Sequence, residues 1–232
     1  MFRLRKVTDY FSDTEIILWC SSVMLIIFSF FTFDRNNYLT FLASILGVTS
    51  LIFNAKGNPI GQFLMIIFSF LYGLISFTFQ YYGEMITYLG MTMPMAVFAL
   101  ISWLKNPYNG NKAEVKVNKI FKKEIIVMWG LTLFVTLIFY FILSSFHTAN
   151  IVPSTISVTT SFVAVYLTFR RSSGFAIAYA ANDLVLIILW ILASAEDIKY
   201  LSVVVCFCAF FVNDLYVFLS WKKMEKRQAC NI

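Results

Sequence analysis

The sequence has few charged residues: only 13% of its 232 residues are Asp, Glu, Lys or Arg. A soluble domain normally carries about 25% charged residues, because its surface must interact with water. Apolar residues make up 60% of the chain, and the mean hydropathy is +0.79. Backbone groups in lipid must pair within each segment, which excludes open sheets there. The composition therefore predicts an all-α membrane protein with several spans.

The sequence also lacks the residue patterns of common enzymes. It contains no glycine-rich nucleotide-binding motif, no paired-histidine zinc motif and no serine nucleophile elbow. Its single histidine, His147, follows an apolar run and is predicted in a loop. Two of the four cysteines, Cys206 and Cys208, are two positions apart and so point about 200° away from each other on a helix. We therefore predict no catalytic residue, no metal site and no cofactor, and a transporter rather than an enzyme.

Eight apolar runs are about as long as the 20 residues that a helix needs to cross a bilayer. The first is too long for a signal peptide, and no cleavage site follows it, so we interpret it as an uncleaved first membrane helix. The predicted spans are approximately residues 15–33, 38–55, 60–80, 85–104, 123–146, 151–169, 174–194 and 199–221.

The basic residues are distributed unequally between the two ends of these spans. If the N-terminus is cytoplasmic, 16 of the 18 Lys and Arg residues lie on the cytoplasmic side, and only Arg35 and Lys199 lie outside. This asymmetry is typical of membrane proteins and predicts that both termini are cytoplasmic in a plasma-membrane protein. The net charge of +6 then indicates contact with anionic lipid headgroups rather than with nucleic acid.

A weak internal repeat relates the two halves of the chain. Gly57 precedes Trp103 by 46 positions, and Gly174 precedes Trp221 by 47, with a lysine after each tryptophan. Corresponding helices of the two units are four spans apart. Because four is an even number, they cross the membrane in the same direction, and the two units are predicted to be parallel, as in some transporters. The predicted organisation is an extra N-terminal helix in residues 1–37, a first three-helix bundle in 38–104, a basic loop and linker helix in 105–150, a second three-helix bundle in 151–221, and a basic cytoplasmic tail in 222–232.

The strongest candidates for a binding site are polar residues inside the seventh span. Tyr179, Asn182, Asp183 and Trp190 fall on one helical face. A carboxylate within a membrane is costly and usually faces a cavity or a partner. Together with an amide and two aromatic rings, it suits a flat, polar and cationic ring. A structural polar cluster that bridges helices is the alternative.

Other candidates are spread over the third, fourth and eighth spans. Asn213 and Tyr216 are three residues apart and are predicted to face one cavity. Asp214 is the second carboxylate within a span, and it either takes part in function or, as the favoured interpretation, pairs with Lys222 or Lys223 near the membrane interface. Trp103 and Trp221 are predicted to belong to the interfacial aromatic belt. Pro94 interrupts the fourth span, either as a simple kink or as a break that lines a cavity. The remaining candidates for the polar path are Gln62, Tyr72, Gln80 and Tyr88.

The order and spacing of several short motifs resemble those of PnuC-type nicotinamide riboside transporters over about residues 40–225. In the first half these motifs are Gly57-Asn58-Pro59-Ile60-Gly61, Tyr82-Gly83-Glu84, Tyr88, Met93-Pro94-Met95 and Trp103-Leu104-Lys105. In the second half they are Asn182-Asp183, Asn213, Tyr216 and Trp221-Lys222-Lys223.

The resemblance implies two three-helix bundles of the SWEET-like kind, joined by a linker helix, and assembly as a homotrimer. It also implies facilitated diffusion of a vitamin-type nucleoside, which a cytoplasmic kinase traps by phosphorylation. The family tends to have tryptophans a turn or two before the second-half aspartate, where this chain has Ala176 and Tyr179.

Because of this departure at Ala176 and Tyr179, the sequence alone leaves other substrates and functions open. Related transporters carry thiamine or riboflavin, so another vitamin is one alternative. A non-transporting membrane receptor or assembly protein is a second, and it predicts that Asn182 and Asp183 only hold helices together. Coupling to protons or sodium also stays open, because Asp183 is able to bind either ion.

Overall fold

The computed structural model of the chain describes residues 10–79, 81–148 and 150–230. Eight helices in these ranges are long and apolar enough to cross a membrane, so the predicted all-α membrane fold with eight spans is confirmed. All begin and end within a few residues of the predicted runs, except the last, which continues to Cys230. The spans are α1 (Asp13–Phe33), α2 (Tyr38–Ala55), α3 (Pro59–Thr78), α4 (Tyr82–Lys105), α5 (Lys122–Ser145), α6 (Ile151–Phe169), α7 (Phe175–Ser194) and α8 (Leu201–Cys230), the last preceded by a 3₁₀ turn at Ile198–Tyr200.

Polar side chains fix where the first three helices begin. Ser12 and Glu15 form a capping box at α1, with each side chain bonded to the other residue's backbone N–H. Asn37 caps α2, and Asn58 caps α3 immediately before Pro59, which occupies the first helical position. These caps satisfy backbone N–H groups that have no partner within the helix.

Helix α4 changes its winding part-way along. It is α-helical over Tyr82–Thr87, π-helical over Tyr88–Thr92 and α-helical again over Met93–Lys105. Pro94 lies two residues after the end of the π-helical turn, and because proline has no backbone N–H it cannot complete the regular pattern of hydrogen bonds there. The sequence pointed to a break at Pro94, but not to an extra residue in the turn before it.

The helices pack in an order that repeats along the chain. Helix α3 contacts α2 and α4, and α7 contacts α6 and α8 in the same way. Across the two groups, α4 packs against α6 and α8 packs against α2. Helix α1 lies against α2 and α8, while α5 packs mainly against α6 and is otherwise largely exposed. This order fits two parallel three-helix units, and the exact division of the chain into domains stays a prediction.

Two tryptophans join the groups at one end of the molecule. The indole N–H of Trp103, in α4, donates to the carbonyl of Thr168 at the end of α6, over 3.0 Å. The indole N–H of Trp221, in α8, donates to the carbonyl of Asn54 at the end of α2, over 2.7 Å. Both tryptophans are fully buried and their ring centroids are 5.3 Å apart. Their predicted place in an interfacial aromatic belt is wrong, because each ring is used to bind another helix.

The serine before each tryptophan repeats this arrangement. Ser102 donates to the carbonyl of Phe169 over 2.9 Å, and Ser220 donates to the carbonyl of Ala55 over 2.7 Å. We refer to Ser102-Trp103 and Ser220-Trp221 as the two Ser-Trp pairs. Each pair binds the last carbonyls of the first helix in the other group, which have no partners within their own helix.

A small hairpin lies at the same end of the molecule. Strands β1 (Pro107–Tyr108) and β2 (Asn111–Val115) pair within the linker that precedes α5. The backbone N–H of Val115 donates to Gly57 in the turn between α2 and α3, over 2.9 Å. The Gln228 side chain accepts from the N–H of Val117 and donates to the carbonyl of Val115. The extension of α8 is therefore attached to this hairpin.

Candidate functional site

A small cavity lies among the central helices, and six of the eight spans contribute to its wall. It has a volume of about 20 Å³, which is enough for about one water molecule. The lining combines aromatic rings with the carboxyl, amide and hydroxyl groups of α6, α7 and α8. The lining residues are Leu51, Met65, Phe68, Tyr88, Thr92, Ser161, Tyr179, Asn182, Asp183, Phe207, Phe210 and Asp214.

Two carboxyl groups meet in this wall. Asp183 and Asp214 are 3% and 2% exposed, and their side chains lie within hydrogen-bonding reach of each other. One oxygen of each, Oδ2 of Asp183 and Oδ1 of Asp214, has no hydrogen-bond partner among the described residues. A hydrogen bond between two carboxyl groups needs at least one proton. The pair is therefore a polar site with unused bonding capacity in an apolar part of the molecule.

Asp214 was interpreted from the sequence as a partner of the lysines that follow it, and that interpretation is wrong. Lys222 pairs instead with Glu225 over 3.0 Å. Eight residues of helix separate Asp214 from Lys222 by about 12 Å along the axis. The Asn-Asp sequence shared by positions 182–183 and 213–214 was the available signal that the two aspartates act together.

Asn182 is held in place by two hydroxyl groups of α6. Thr160 donates to its Oδ1 over 2.8 Å, and Ser161 donates to the same oxygen over 3.0 Å. The carbonyl end of the amide is therefore occupied, which leaves the NH₂ group available to donate. The residue is 2% exposed and lines the cavity next to Asp183. Its orientation suits recognition of a ligand oxygen.

A stack of aromatic residues continues from the cavity along the molecule. The rings of Tyr88 and Tyr72 are 4.3 Å apart between centroids. The hydroxyl of Tyr72 accepts a hydrogen bond of 2.7 Å from the indole N–H of Trp190. Trp190 packs in turn against Tyr81, with centroids 4.8 Å apart. Tyr88 lines the cavity directly, whereas Tyr72 and Trp190 form the layer behind it.

Three of the sequence-predicted residues point elsewhere. Gln62 donates from its amide to the side chain of Asn54 over 2.8 Å and does not line the cavity. Asn213 bonds to Ser22 of α1 over 2.9 Å, and the Tyr216 hydroxyl bonds to Glu15 of α1 over 3.2 Å.

Asn213 and Tyr216 thus share a face, as predicted, but that face packs against α1 rather than the cavity. Gln80 lies outside the described residues. The structure therefore brings together Tyr88, Tyr179, Asn182 and Asp183, with Tyr72 and Trp190 behind them.

The family model of the nicotinamide mononucleotide transporters matches residues 37–223, which include the whole cavity. The chain belongs to this family. Its members are transporters, so the predicted transporter class and the resemblance to PnuC-type proteins are both confirmed, and the chain is a multi-pass membrane transporter rather than an enzyme.

Three known proteins are similar to this family member over most of their length. The nicotinamide riboside transporter PnuC of Neisseria mucosa is 25% identical over 205 residues, which are 86% of this chain and 77% of that protein. The protein of the same name from Haemophilus influenzae is 22% identical over 197 residues, covering 83% and 82% of the two chains. A crystal structure of the vitamin B3 transporter PnuC matches with a TM-score of 0.82 at 21% identity, over 94% of each chain, which shows that the fold is shared.

Proposed function

We propose that this transporter carries nicotinamide riboside across the cell membrane. The observation that supports this most directly is the buried Asp183–Asp214 pair, which lines a cavity between the helices together with an amide and aromatic rings. The substrate that the named relatives transport is consistent with such a site. Nicotinamide riboside joins a positively charged pyridinium ring to an uncharged ribose with several hydroxyl groups.

Each part of the substrate has a chemically suited partner in the cavity. A cationic ring is attracted by carboxylates and by the faces of aromatic rings such as Tyr88 and Tyr179. The NH₂ group of Asn182 suits a carboxamide or ribose oxygen. A cavity of about 20 Å³ is too small for a nucleoside, so the helices must separate for substrate to enter. We propose that these residues bind the substrate and that Tyr72 and Trp190 position Tyr88.

The transport cycle that we propose is facilitated diffusion. By resemblance to the family, we assign the trapping step to a cytoplasmic kinase that phosphorylates the arriving nucleoside. The excess of basic residues on one side supports cytoplasmic termini in the plasma membrane. By resemblance to the family, we also propose assembly as a homotrimer.

Binding to the purified protein tests the proposed function. We expect nicotinamide riboside to bind measurably by calorimetry, and Asp183→Asn or Asn182→Ala to weaken binding at least tenfold. Tyr216→Phe is the matched control, because its hydroxyl contacts α1 outside the cavity, and it should leave the Kd unchanged.

Thiamine and riboflavin serve as competing ligands in the same measurement. Thiamine is also a cation, whereas riboflavin is neutral, so the comparison separates attraction to the carboxyl pair from ring stacking. The proposal is overturned if folded protein binds thiamine or riboflavin but not nicotinamide riboside, or if Tyr216→Phe weakens binding as much as Asp183→Asn.

A further inference from the structure

A second, larger cavity lies at the end of the molecule that carries the hairpin and the two Ser-Trp pairs. It has a volume of about 410 Å³, and its wall comes from the chain just before α1, the end of α2, strand β2 and the extension of α8. The polar side chains in this wall include Tyr10, Lys56, Glu114, Lys223 and Arg227. We refer to the space that these residues line as the basic cavity. In the proposed orientation of the chain, it lies at the cytoplasmic surface of the membrane.

The charges around the basic cavity do not balance. The ammonium group of Lys56 pairs with Glu15 of α1 over 3.0 Å, and the guanidinium group of Arg227 pairs with Glu114 of β2. Lys223 is exposed and has no ion-pair or hydrogen-bond partner among the described residues. Three basic and two acidic side chains therefore leave one uncompensated positive charge at this place.

An apolar groove adjoins the basic cavity. It runs between α1 and α2, has a volume of about 350 Å³, and is lined mainly by apolar side chains such as Ile16, Trp19 and Phe53. Trp19 is 36% exposed, which places the groove on the surface that faces lipid. Glu15 lines this groove and also pairs with Lys56 of the basic cavity. The two spaces therefore meet at that ion pair.

The two spaces together fit the chemistry of one anionic phospholipid. Its phosphodiester carries a single negative charge, which equals the charge that Lys223 leaves uncompensated. Its acyl chain suits the groove, because apolar surface is buried there away from water. A zwitterionic headgroup would leave the positive charge unbalanced. A free phosphate ion would balance the charge but leave the groove unused.

We propose that the basic cavity and the adjoining groove bind one anionic phospholipid of the cytoplasmic leaflet. The phosphodiester lies beside Lys223 and the guanidinium N–H groups of Arg227 that Glu114 does not use. One acyl chain occupies the groove between α1 and α2. Anionic lipids are concentrated in the cytoplasmic leaflet, and basic pockets between helices on that side are suited to their headgroups. The inference uses the proposed orientation of the chain but not the proposed substrate.

Such a lipid would contact α1, α2 and α8 at once, so its binding should stabilise the folded protein. We test this with the full-length protein in a non-ionic detergent, to which dioleoyl phosphatidylglycerol or dioleoyl phosphatidylcholine is added. We expect native mass spectrometry to show one retained phosphatidylglycerol per chain, and the Tm to rise with its concentration. Phosphatidylcholine should be lost from the protein and leave the Tm unchanged. Equal retention of the two lipids would overturn the proposal.

The headgroup contact is tested by Lys223→Gln. A basic side chain near the membrane surface contributes about 1 kcal/mol to the binding of anionic lipid, so the Kd for phosphatidylglycerol should rise about fivefold. Lys222→Gln is the matched control, because it removes the same charge from the neighbouring position, but Lys222 pairs with Glu225 and does not line the basic cavity. An equal effect of the two substitutions would show that only net charge matters and would overturn the site.

The acyl-chain contact is tested by Cys20→Trp, which places a large ring in the groove from an exposed position on α1. We expect phosphatidylglycerol to bind more weakly, because the ring occupies the volume that the acyl chain needs. Met24→Trp is the control, since Met24 is exposed on the same helix but does not line the groove. Unchanged binding by folded Cys20→Trp would overturn the assignment of the groove.

Inorganic phosphate and glycerol phosphate distinguish a lipid from a free anion. We expect neither to raise the Tm at concentrations at which phosphatidylglycerol does. If either one stabilises the protein as strongly and displaces the lipid, the basic cavity is a site for free phosphate groups and the lipid proposal is overturned. None of these outcomes bears on transport of nicotinamide riboside, which is tested by its own binding measurement.

Discussion

At the scale of single residues, the site depends on side chains that are oriented by their neighbours. Asn182 has its carbonyl oxygen occupied by the hydroxyl groups of Thr160 and Ser161, at 2.8 and 3.0 Å. An amide that is free to rotate presents either its oxygen or its nitrogen to a ligand. The two hydroxyl groups remove that ambiguity, so we expect them to favour binding by orienting Asn182.

Removal of one of these hydroxyl groups should weaken binding without abolishing it. Ser161→Ala deletes a hydrogen bond worth about 1 kcal/mol, so the Kd for nicotinamide riboside should rise about fivefold. Thr155→Val is the control, because the Thr155 hydroxyl donates only to the backbone of its own helix. Calorimetry on both variants measures the difference, and equal effects would show that Ser161 does not act through Asn182.

The sequence identified one wall of the cavity better than the other. Asn182, Asp183 and Tyr179 were predictable because helical spacing places them on one face of α7. On α8 the same reasoning chose Asn213 and Tyr216 and left out Asp214. Helical spacing groups residues into faces, but only contacts between helices show which face meets the cavity, and α1 occupies the one that carries Asn213.

At the scale of secondary-structure elements, the π-helical turn of α4 determines which of its residues reach the site. Residues Tyr88–Thr92 form this turn, and both Tyr88 and Thr92 line the cavity. A π-helical turn holds one more residue than the α-helical turn it replaces, so the helix before it is rotated relative to the helix after it. The rotation allows Tyr88 to face Asp183 while Met93–Lys105 keeps its packing against α6.

Deletion of Gly90 should convert this turn to a regular α-helix. The segment before it would rotate by about 100° relative to the segment after it, and Tyr88 would leave the cavity. We expect binding of nicotinamide riboside to be lost while helix content by circular dichroism is retained. Gly90→Ala is the matched control, since the nearest atom to an added Cβ is 4.0 Å away, and it should bind normally. Normal binding by the deletion variant would contradict the role of the turn.

The lengths of the spans were predictable except for α8, which continues to Cys230, and the internal details of the elements were not. Apolar runs bounded by Asn37, Asn58 and Gly174 define where spans begin, because lipid requires continuous apolar helices. The hairpin at residues 107–115 lies in a polar linker without alternating apolar residues, and its position depends on contacts with Gly57 and Gln228. Contacts this distant in sequence leave no local pattern.

At the scale of the whole molecule, the two Ser-Trp pairs connect the two groups of helices reciprocally. Trp103 extends from the first group to α6, and Trp221 extends from the second group back to α2. The carbonyl of Asn54 also accepts from the N–H of Gly57, and that of Thr168 accepts from Arg171. Each tryptophan therefore adds a second hydrogen bond to a carbonyl that already has one.

Loss of either indole N–H should destabilise the fold by a similar amount. Trp103→Phe and Trp221→Phe each remove one buried hydrogen bond and part of the ring packing, which together cost about 1–3 kcal/mol. We expect a lower Tm in detergent for both variants and an unchanged Kd, because neither ring lines the cavity. Trp129→Phe, at an exposed position on α5, should leave the Tm unchanged, and an equal loss there would contradict this explanation.

The reciprocal connection also sets an order of events during synthesis on the ribosome. The carbonyl of Ala55 accepts from Ser220, a residue translated 165 positions later, whereas Ser102 needs only 67 more residues before Phe169 appears. The end of α2 therefore meets its final partners only after α3 to α7 have been synthesised. A nascent chain interrupted before Ser220 would leave the carbonyls of Ala55 and Asn54 without the hydrogen bonds that Ser220 and Trp221 donate.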